Sequence, residues 1–403
     1  MSMRRYRALF TAALGAYLAI IPIEPGANRA RPADTPVMNR SDVARLLADH
    51  VSRNEFPERI MVPLPHGEVE TRVTYTLEPR LQEAIARIYG RYKPDYGAFV
   101  ALDAETGRIL SLASYEKDGG ELGNLALRAS YPAASVFKIV TAAAALEEGF
   151  AEPSTVVPYN GKSTSLYKRQ VFKHRNTKWT RRVTLSDAFA KSVNTVFARL
   201  GVFDIGARTL HEYAGRFGFN QPIGSDLPFE ASLAPLAADD KWELAESASG
   251  FTRSNTLSPL HGAMIAASVV NDGKMLNPYI VEQLADEHQV VEYQAAPELM
   301  GVSVRPDTAV KLRELMVSTV QKGSARRSFR KFFTSDLRDV EVGGKTGSLT
   351  GLLPRGRNDW FVGYAVHQGR KVAFASLTIN KEKWTVKSAY VARKIIEEYY
   401  DQH

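Results

Sequence analysis

Ser135 and Lys138 stand at the start of an apolar, alanine-rich stretch, "YPAASVFKIVTAAAALEEG", which covers residues 131–149. In a helix, a spacing of three places both side chains on one face and within reach of each other. A serine hydroxyl needs a base to become a good nucleophile, and lysine is a base only when burial or a nearby positive charge lowers its pKa. The pair therefore indicates a serine nucleophile at a helix N-terminus, where free N–H groups stabilise an oxyanion. A capping serine beside a solvent-reaching lysine is the alternative interpretation.

The Ser-x-x-Lys spacing is weak by itself, because it occurs four times in the chain. Ser114 leads into a polar loop, Ser165 lies in a basic segment, and Ser328 stands among arginines in "ARRSFRKFF". Ser135 differs because a strongly apolar run follows it, and such a run is typical of a buried helix. The surroundings, rather than the spacing, favour Ser135.

A second polar pair, Ser192 and Asn194 in "KSVNTVF", follows the helical pattern "TLSDAFA". A hydroxyl and an amide two residues apart, where a helix meets a loop, could relay a proton and hold a substrate amide. This pattern is also weak alone, since "SRN" at Ser52 repeats it.

The third candidate stretch is "VEVGGKTGSLTG", in which Lys345-Thr346-Gly347 follows a strand-like run and occurs once in the chain. Gly347 has no side chain and would let a substrate backbone lie against the strand edge. Thr346 and Ser348 carry hydroxyls that could bind a carboxylate. Lys345 would bring positive charge to the first pair, and such a charge helps to keep a lysine base neutral.

Together the three stretches resemble the signature of the penicillin-binding protein and serine β-lactamase superfamily, with "SVFK", "SVN" and "KTGS" in the family order. Their surroundings are similar too. "GAFVALDAETGRILSLAS" resembles the first hairpin of a transpeptidase domain, and "NDWFVGYAV" resembles the strand after the third motif. The resemblance covers about residues 75–400. One departure is Ala133-Ala134 before the serine, where the family often has glycine.

The resemblance implies acyl transfer on the D-Ala-D-Ala end of peptidoglycan stem peptides, by a transpeptidase or a carboxypeptidase. Ser135 would attack the carbonyl with Lys138 as its base. Ser192 would pass a proton to the leaving D-alanine, and Lys345 would support this relay. β-Lactams, as strained mimics of the same amide, would acylate the serine. No metal, organic cofactor or nucleic-acid partner is expected.

The resemblance also assigns the substrate-binding residues. Asn194 would hydrogen-bond the substrate amide, while Thr346 and Ser348 would bind the terminal carboxylate beside Gly347. The backbone N–H groups of Ser135 and Ser348 would form the oxyanion hole.

Two other functions remain open within this superfamily. A serine β-lactamase would share the acylation step and add rapid hydrolysis. Class D enzymes of that kind carry an apolar residue where Asn194 stands, and we identify no deacylation glutamate of the class A kind. The other alternative is a penicillin-binding sensor. The three complete motifs argue against it, and so does the little room that the chain offers for a large membrane module.

The elements that would position these motifs suggest an α/β (α+β) fold. Helical periodicity over residues 77–92 precedes a hairpin around the turn "DAETGR". Residues 135–330 have mainly helical patterns, and two strands about Gln368-Gly369 lead to a last helix, "VKSAYVARKIIEEYY". We expect an antiparallel sheet flanked by its terminal helices, with an inserted all-helical lobe and the active site between them.

The N-terminus indicates export from the cytoplasm. Arg4, Arg5 and Arg7 precede an uncharged run from Ala8 to Ile23, a pattern typical of a signal peptide. The run is shorter than the ~20 residues of a usual membrane span, so a short uncleaved anchor is the other interpretation. We expect the rest of the chain to act in the periplasm or an equivalent space, free or attached to the membrane.

Three regions follow from these patterns. Residues 1–30 would be the signal peptide or anchor, and residues 31–75 a linker and small N-terminal segment with a short helix near "SDVARLLADHV". Residues 76–403 would form the transpeptidase domain.

Composition limits the chemistry and leaves one charged region to explain. The 403 residues include no cysteine, which excludes disulfides, Cys-ligated zinc and a thiol nucleophile. The net charge of +8 fits an anionic partner or plain solubility.

Residues 153–186 hold eight Lys or Arg, His174 and no Asp or Glu. This segment is either a solvated loop, the simpler interpretation, or a platform for an anionic lipid-linked precursor or glycan. Residues 348–359 suggest a loop with two arginines beside the cleft.

Overall fold

A computed structural model describes residues 37–400, except 66, 121, 174, 237 and 238. The predicted signal peptide or anchor at residues 1–30 lies outside the described residues. None of the helices among the described residues combines the length and the apolar content of a membrane span. The predicted domain boundaries stay predictions.

Helices and antiparallel strands alternate along the described chain. The strands are β1 (Arg59–Leu64), β2 (Gly67–Tyr75), β3 (Tyr96–Asp103), β4 (Ile109–Glu116), β5 (Tyr131–Pro132), β6 (Val156–Tyr159), β7 (Arg181–Thr184), β8 (Thr256–Leu257), β9 (Lys274–Leu276), β10 (Val281–Asp286), β11 (Val291–Gln294), β12 (Leu299–Val302), β13 (Glu341–Leu352), β14 (Arg355–His367) and β15 (Arg370–Asn380). The helices are α1 (Arg40–Ser52), α2 (Pro79–Tyr92), α3 (Lys138–Glu147), α4 (Lys168–Phe172), α5 (Leu185–Ala190), α6 (Asn194–Arg199), α7 (Gly206–Arg216), α8 (Lys241–Ser249), α9 (Pro259–Val270), α10 (Pro306–Gln321), α11 (Arg326–Phe329) and α12 (Ser388–Tyr400).

The main sheet has the strand order β13-β14-β15-β3-β4, and each pairing between its described strands is antiparallel. Successive side chains of a strand point to opposite faces. Accordingly, Phe99 packs with α2 and α12 on one face, while Val100 belongs to the larger core on the other. Helix α9 covers that second face, and its residues are buried all round, as expected for a uniformly apolar helix. The predicted hairpin, the two strands about Gln368-Gly369 and both terminal helices are confirmed.

A second sheet joins distant parts of the chain in the order β1-β2-β10-β11. Strand β2 pairs with β10 across about two hundred residues, from Thr71 opposite Asp286 to Tyr75 opposite Val281. Helix α1 precedes this sheet and confirms the predicted short helix; it begins with a capping box at Asn39. Thus the described residues before 76 include a helix and a strand pair attached to the later chain.

The region between β4 and β13 holds most of the described helices, as predicted, but the inserted lobe is not all-helical, because β6 pairs with β7 and β9 with β12 there. The interpretation of residues 348–359 as a loop is wrong. Strands β13 and β14 pair continuously up to Leu352 opposite Arg355, so most of this segment is a long hairpin. Its Gly and Pro residues look like loop signals in the sequence, but here they lie at the tight turn and at close contacts between strands, such as Gly351 beside Asn358.

Candidate active site

Ser135 lies in a 3₁₀ turn, Ala134–Phe137, rather than in the first turn of an α-helix. The expected buried helix is present, but α3 begins at Lys138. The chain arrives from β5, which pairs with β8, and bends sharply at Ala134, whose φ of +48° is unusual for a residue with a side chain. This bend replaces the first α-helical turn that the sequence predicts.

The amine of Lys138 makes three hydrogen bonds in a fully buried position. Its Nζ lies 2.8 Å from Ser135 Oγ and 2.8 Å from Asn194 Oδ1, and it also contacts the carbonyl oxygen of Ser249. The oxygens of Asn194 and Ser249 can only accept. A neutral amine has two N–H groups for those two oxygens, which leaves its lone pair for the hydroxyl proton of Ser135. The set of partners therefore fits a general base.

The electrostatics of the site favour the neutral amine. Burial, and after it the positive charge of Lys345, hold the pKa of Lys138 well below its ordinary value. Burial also lowers the pKa of Lys345, to about 7. The cluster thus holds two buried lysines whose neutral forms are both favoured, and Lys345 titrates near neutral pH.

Ser192 and Lys345 form the second polar pair of the site. Lys345 Nζ donates to Ser192 Oγ over 3.0 Å and to the carbonyl oxygen of Thr346 over 2.8 Å. Ser192 lies between α5 and α6, as predicted, and its φ of +56° turns the chain there. Asn194 begins α6, and its Nδ2 donates to the carbonyl oxygen of Thr164 over 3.1 Å. In the structure, Asn194 therefore holds Lys138 and the segment at Thr164.

The third motif lies within β13, at the edge of the main sheet. A Cβ on Gly347 would lie 3.3 Å from the backbone nitrogen of Ser135, so the strand passes directly beside the turn that carries Ser135. Thr346 Oγ1 lies 2.5 Å from Ser324 Oγ, so two hydroxyls lie together beside strand β13. Ser348, two residues after Thr346, is exposed.

A cleft of about 360 Å³ brings the predicted side chains together. Six of the eight predicted residues line it: Ser135, Ser192, Asn194, Thr346, Gly347 and Ser348. Lys138 and Lys345 are fully buried and reach the lining hydroxyls through their hydrogen bonds. The arrangement can carry out nucleophilic attack by a serine, proton transfer through two amines, and binding of a peptide beside a strand edge.

Sequence reasoning missed three contributors. Ser249 acts through its backbone carbonyl, which any residue type could supply. Gly250 ends α8 with a φ of +65°, and a Cβ there would lie 2.0 Å from the carbonyl oxygen of Ala134. Ser324 lies after α10, and its N–H donates to the carbonyl oxygen of Ala190, which brings it beside Thr346. Of these three residues, only Gly250 carries a signal in the sequence, because a glycine that ends a helical pattern is typical of a helix C-cap.

This fold and cleft define a serine acyl-transfer enzyme of the penicillin-binding class. A model of the penicillin-binding protein transpeptidase domain matches residues 97–399, and the chain belongs to this family.

Relatives with known names support the same assignment. The chain is 30% identical over 387 residues to the peptidoglycan D,D-transpeptidase PbpA of Mycolicibacterium smegmatis, covering 86% of this chain and 73% of that protein. Among solved structures, penicillin-binding protein A of Mycobacterium tuberculosis is 28% identical with a TM-score of 0.68, over 81% of this chain and 82% of that one. Its ceftriaxone acyl-enzyme complex is 27% identical with a TM-score of 0.66, over 82% and 80% of the two chains.

Proposed function

We propose that this protein is a serine D,D-transpeptidase that cross-links peptidoglycan stem peptides through an acyl-enzyme. The observation that carries the proposal is the Ser135–Lys138 pair, in which a buried amine lies 2.8 Å from the hydroxyl and has acceptors for its other hydrogen bonds. The name of the PbpA relative and the ceftriaxone acyl-enzyme of penicillin-binding protein A support it.

Acylation begins when Ser135 Oγ attacks the carbonyl between the two terminal D-alanines and gives its proton to Lys138 Nζ. The lowered pKa of Lys138 favours the neutral amine, which is the form that can accept this proton. The backbone N–H of Ser135 lies beside β13 near Gly347. With the N–H of Ser348 it would stabilise the oxyanion.

Collapse of the tetrahedral intermediate breaks the C–N bond. Ser192 gives its hydroxyl proton to the leaving D-alanine nitrogen, and Lys345 replaces that proton across 3.0 Å. Thr346 and Ser348, together with Ser324, offer hydroxyls to the terminal carboxylate. Lys345 is suited to this work because its pKa of about 7 allows it both to give and to take a proton.

Deacylation reverses the proton transfers. The amine of a second stem peptide attacks the ester and gives a proton to Ser192 and Lys345, while Lys138 returns its proton to Ser135 Oγ. A new amide then links the two peptides, and water in place of the amine would give the carboxypeptidase reaction. β-Lactams would enter by the same acylation step. This chemistry belongs outside the cytoplasm, either in the periplasm or at the membrane surface, because peptidoglycan lies there.

Incubation with peptidoglycan fragments that end in D-Ala-D-Ala tests the proposal. We expect release of free D-alanine and formation of cross-linked dimers, both measured by mass spectrometry and both absent with Ser135→Ala. D-Alanine release without dimers would identify a carboxypeptidase. Steady turnover of nitrocefin without D-alanine release would identify a β-lactamase and overturn the proposal.

A further inference from the structure

A basic insert, residues 160–182, runs from the end of β6 into the first two residues of β7 beside the catalytic cleft. These two strands pair from Val156 opposite Thr184 to Tyr159 opposite Arg181 and hold its two ends together. The insert carries eight Lys or Arg and no Asp or Glu. All eight cationic side chains are exposed, and none of them forms an ion pair with a carboxylate of the described chain. Their positive charge is therefore available to a ligand.

The basic insert is fixed in place, unlike a freely solvated loop. Leu166 and Val171 are buried in a small apolar cluster with Ala198 of α6 and Ala245 of α8. Arg199 also donates to the carbonyl oxygen of Val171 over 2.9 Å. These contacts hold the short helix α4 in one orientation, so the cations around it form a defined surface.

The basic insert is also continuous with the active site. The backbone N–H of Asn194 donates to the carbonyl oxygen of Ser163 over 2.9 Å, and its side chain donates to that of Thr164. Thr164 itself lines the catalytic cleft. A ligand that leaves the cleft on this side therefore passes directly onto the insert.

The surface of the basic insert is concave and mixes cations with aromatic rings. A hollow of about 1130 Å³, compared with about 360 Å³ for the catalytic cleft, is lined by Lys168, Arg169, Lys173 and Arg175. The rings of Tyr167 and Trp179 are 61% and 76% exposed. Exposed tyrosine and tryptophan rings are enriched at binding surfaces, because each combines an apolar face with a polar edge.

We propose that the basic insert binds the peptidoglycan strand itself, through the carboxylates of stem peptides that are not in the catalytic cleft. This inference rests on the proposed function, which makes the substrate a polymer longer than the cleft can hold. Charge complementarity favours this occupant, since every unreacted stem peptide brings carboxylates to an insert that has no Asp or Glu of its own. The aromatic rings offer faces to the sugars between those peptides. The insert would thereby raise the local concentration of strands at the nucleophile.

Co-sedimentation with purified, insoluble peptidoglycan tests this role. The triple variant Arg169→Gln/Lys173→Gln/Arg175→Gln should bind about tenfold more weakly at low salt, and the difference should vanish near ~0.5 M salt because exposed charges are screened. A matched control, Arg72→Gln/Arg80→Gln/Arg208→Gln, removes three exposed cations elsewhere and should bind like the wild type. Acylation by a soluble fluorescent penicillin should be unchanged in the triple variant, which also shows that it folds.

Three results would overturn the inference. One is wild-type binding to peptidoglycan by the triple variant. Another is an equal loss in the control variant, which would show a general charge effect. The third is loss of binding to anionic phospholipid vesicles with no loss on peptidoglycan, which would assign the basic insert to a membrane surface. If the wild type does not react with penicillin, that result contradicts the proposed function and not the role of the basic insert. The two are separable because the insert would bind peptidoglycan without the nucleophile, so Ser135→Ala should bind it like the wild type.

Discussion

The amine of Lys138 lies 2.8 Å from the hydroxyl of Ser135 in a position closed to solvent. Two carbonyl oxygens, from Asn194 and Ser249, accept its other hydrogen bonds. The geometry directs the lone pair of a neutral amine toward the serine, and burial supplies the neutral amine.

Replacing Lys138 with arginine should slow acylation by penicillin roughly 10²–10⁴-fold, the usual contribution of a general base. Arginine stays protonated, so it cannot take the proton of Ser135 even though it keeps the positive charge. Stopped-flow measurement of the second-order acylation rate checks this. The exposed Lys322 offers a control, since Lys322→Arg should react like the wild type. A Lys138→Arg variant with a normal rate would remove Lys138 as the base.

Replacing Asn194 with aspartate should move the acid limb of the acylation profile to higher pH. A carboxylate beside Lys138 favours the charged amine and raises its pKa, so the base becomes available only at more alkaline pH. The measurement is the acylation rate from acid to alkaline pH. Asn54→Asp adds the same charge at an exposed turn and should leave the profile unchanged. An unshifted Asn194→Asp profile would show that the amide contact does not tune the base.

Replacing Lys345 should separate its two effects on the pH profile. In the wild type, the rate should rise with pH as Lys138 loses its proton and fall as Lys345 deprotonates, at about pH 7 in the free enzyme. Lys345→Met removes a positive charge that depresses the pKa of Lys138, so the acid limb should shift to higher pH. Lys345→Arg keeps that charge, so its acid limb should stay in place while the fall near neutral pH disappears. Identical acid limbs in the two variants would contradict the coupling.

Replacing Gly250 with alanine should disturb the turn that carries Ser135 without replacing a residue of the proposed mechanism. The new Cβ would lie 2.0 Å from the carbonyl oxygen of Ala134, and the backbone there has a positive φ. We expect a loss of about 2 kcal/mol in the free energy of unfolding and slower acylation. Gly215→Ala is the control, because nothing lies within 4 Å of its Cβ in helix α7, and it should be neutral or slightly stabilising. The measurements are thermal unfolding and the acylation rate of both variants. A Gly250→Ala variant that is as stable and as active as the wild type would contradict the close contact.

Much of this site can be predicted from the sequence, because its chemistry lies in the side chains of three short motifs, "SVFK", "SVN" and "KTGS", which follow one another along the chain. The three other Ser-x-x-Lys copies have different surroundings in the structure as well. Ser114, for example, is used to bond the backbone at Gly123 and Leu125. The apolar run after Ser135 correctly predicted the buried helix that fixes Lys138.

The remaining features depend on contacts between distant parts of the chain. The carbonyl of Ser249 reaches Lys138 across more than a hundred residues, and a backbone oxygen leaves no mark in a sequence. The positive φ of Ala134 goes against the preference of alanine, so local propensity predicts an α-helical turn there instead. The pairing of β2 with β10 is similarly set by tertiary packing, which short-range patterns do not report.

The most direct test of the account is to locate the covalent adduct of a fluorescent penicillin. Intact mass and peptide mapping should show one penicillin per chain, attached to Ser135 in the wild type, and no adduct in Ser135→Ala at equal fold stability. An adduct on another residue, or undiminished labelling of Ser135→Ala, would contradict the assignment of Ser135 as the nucleophile.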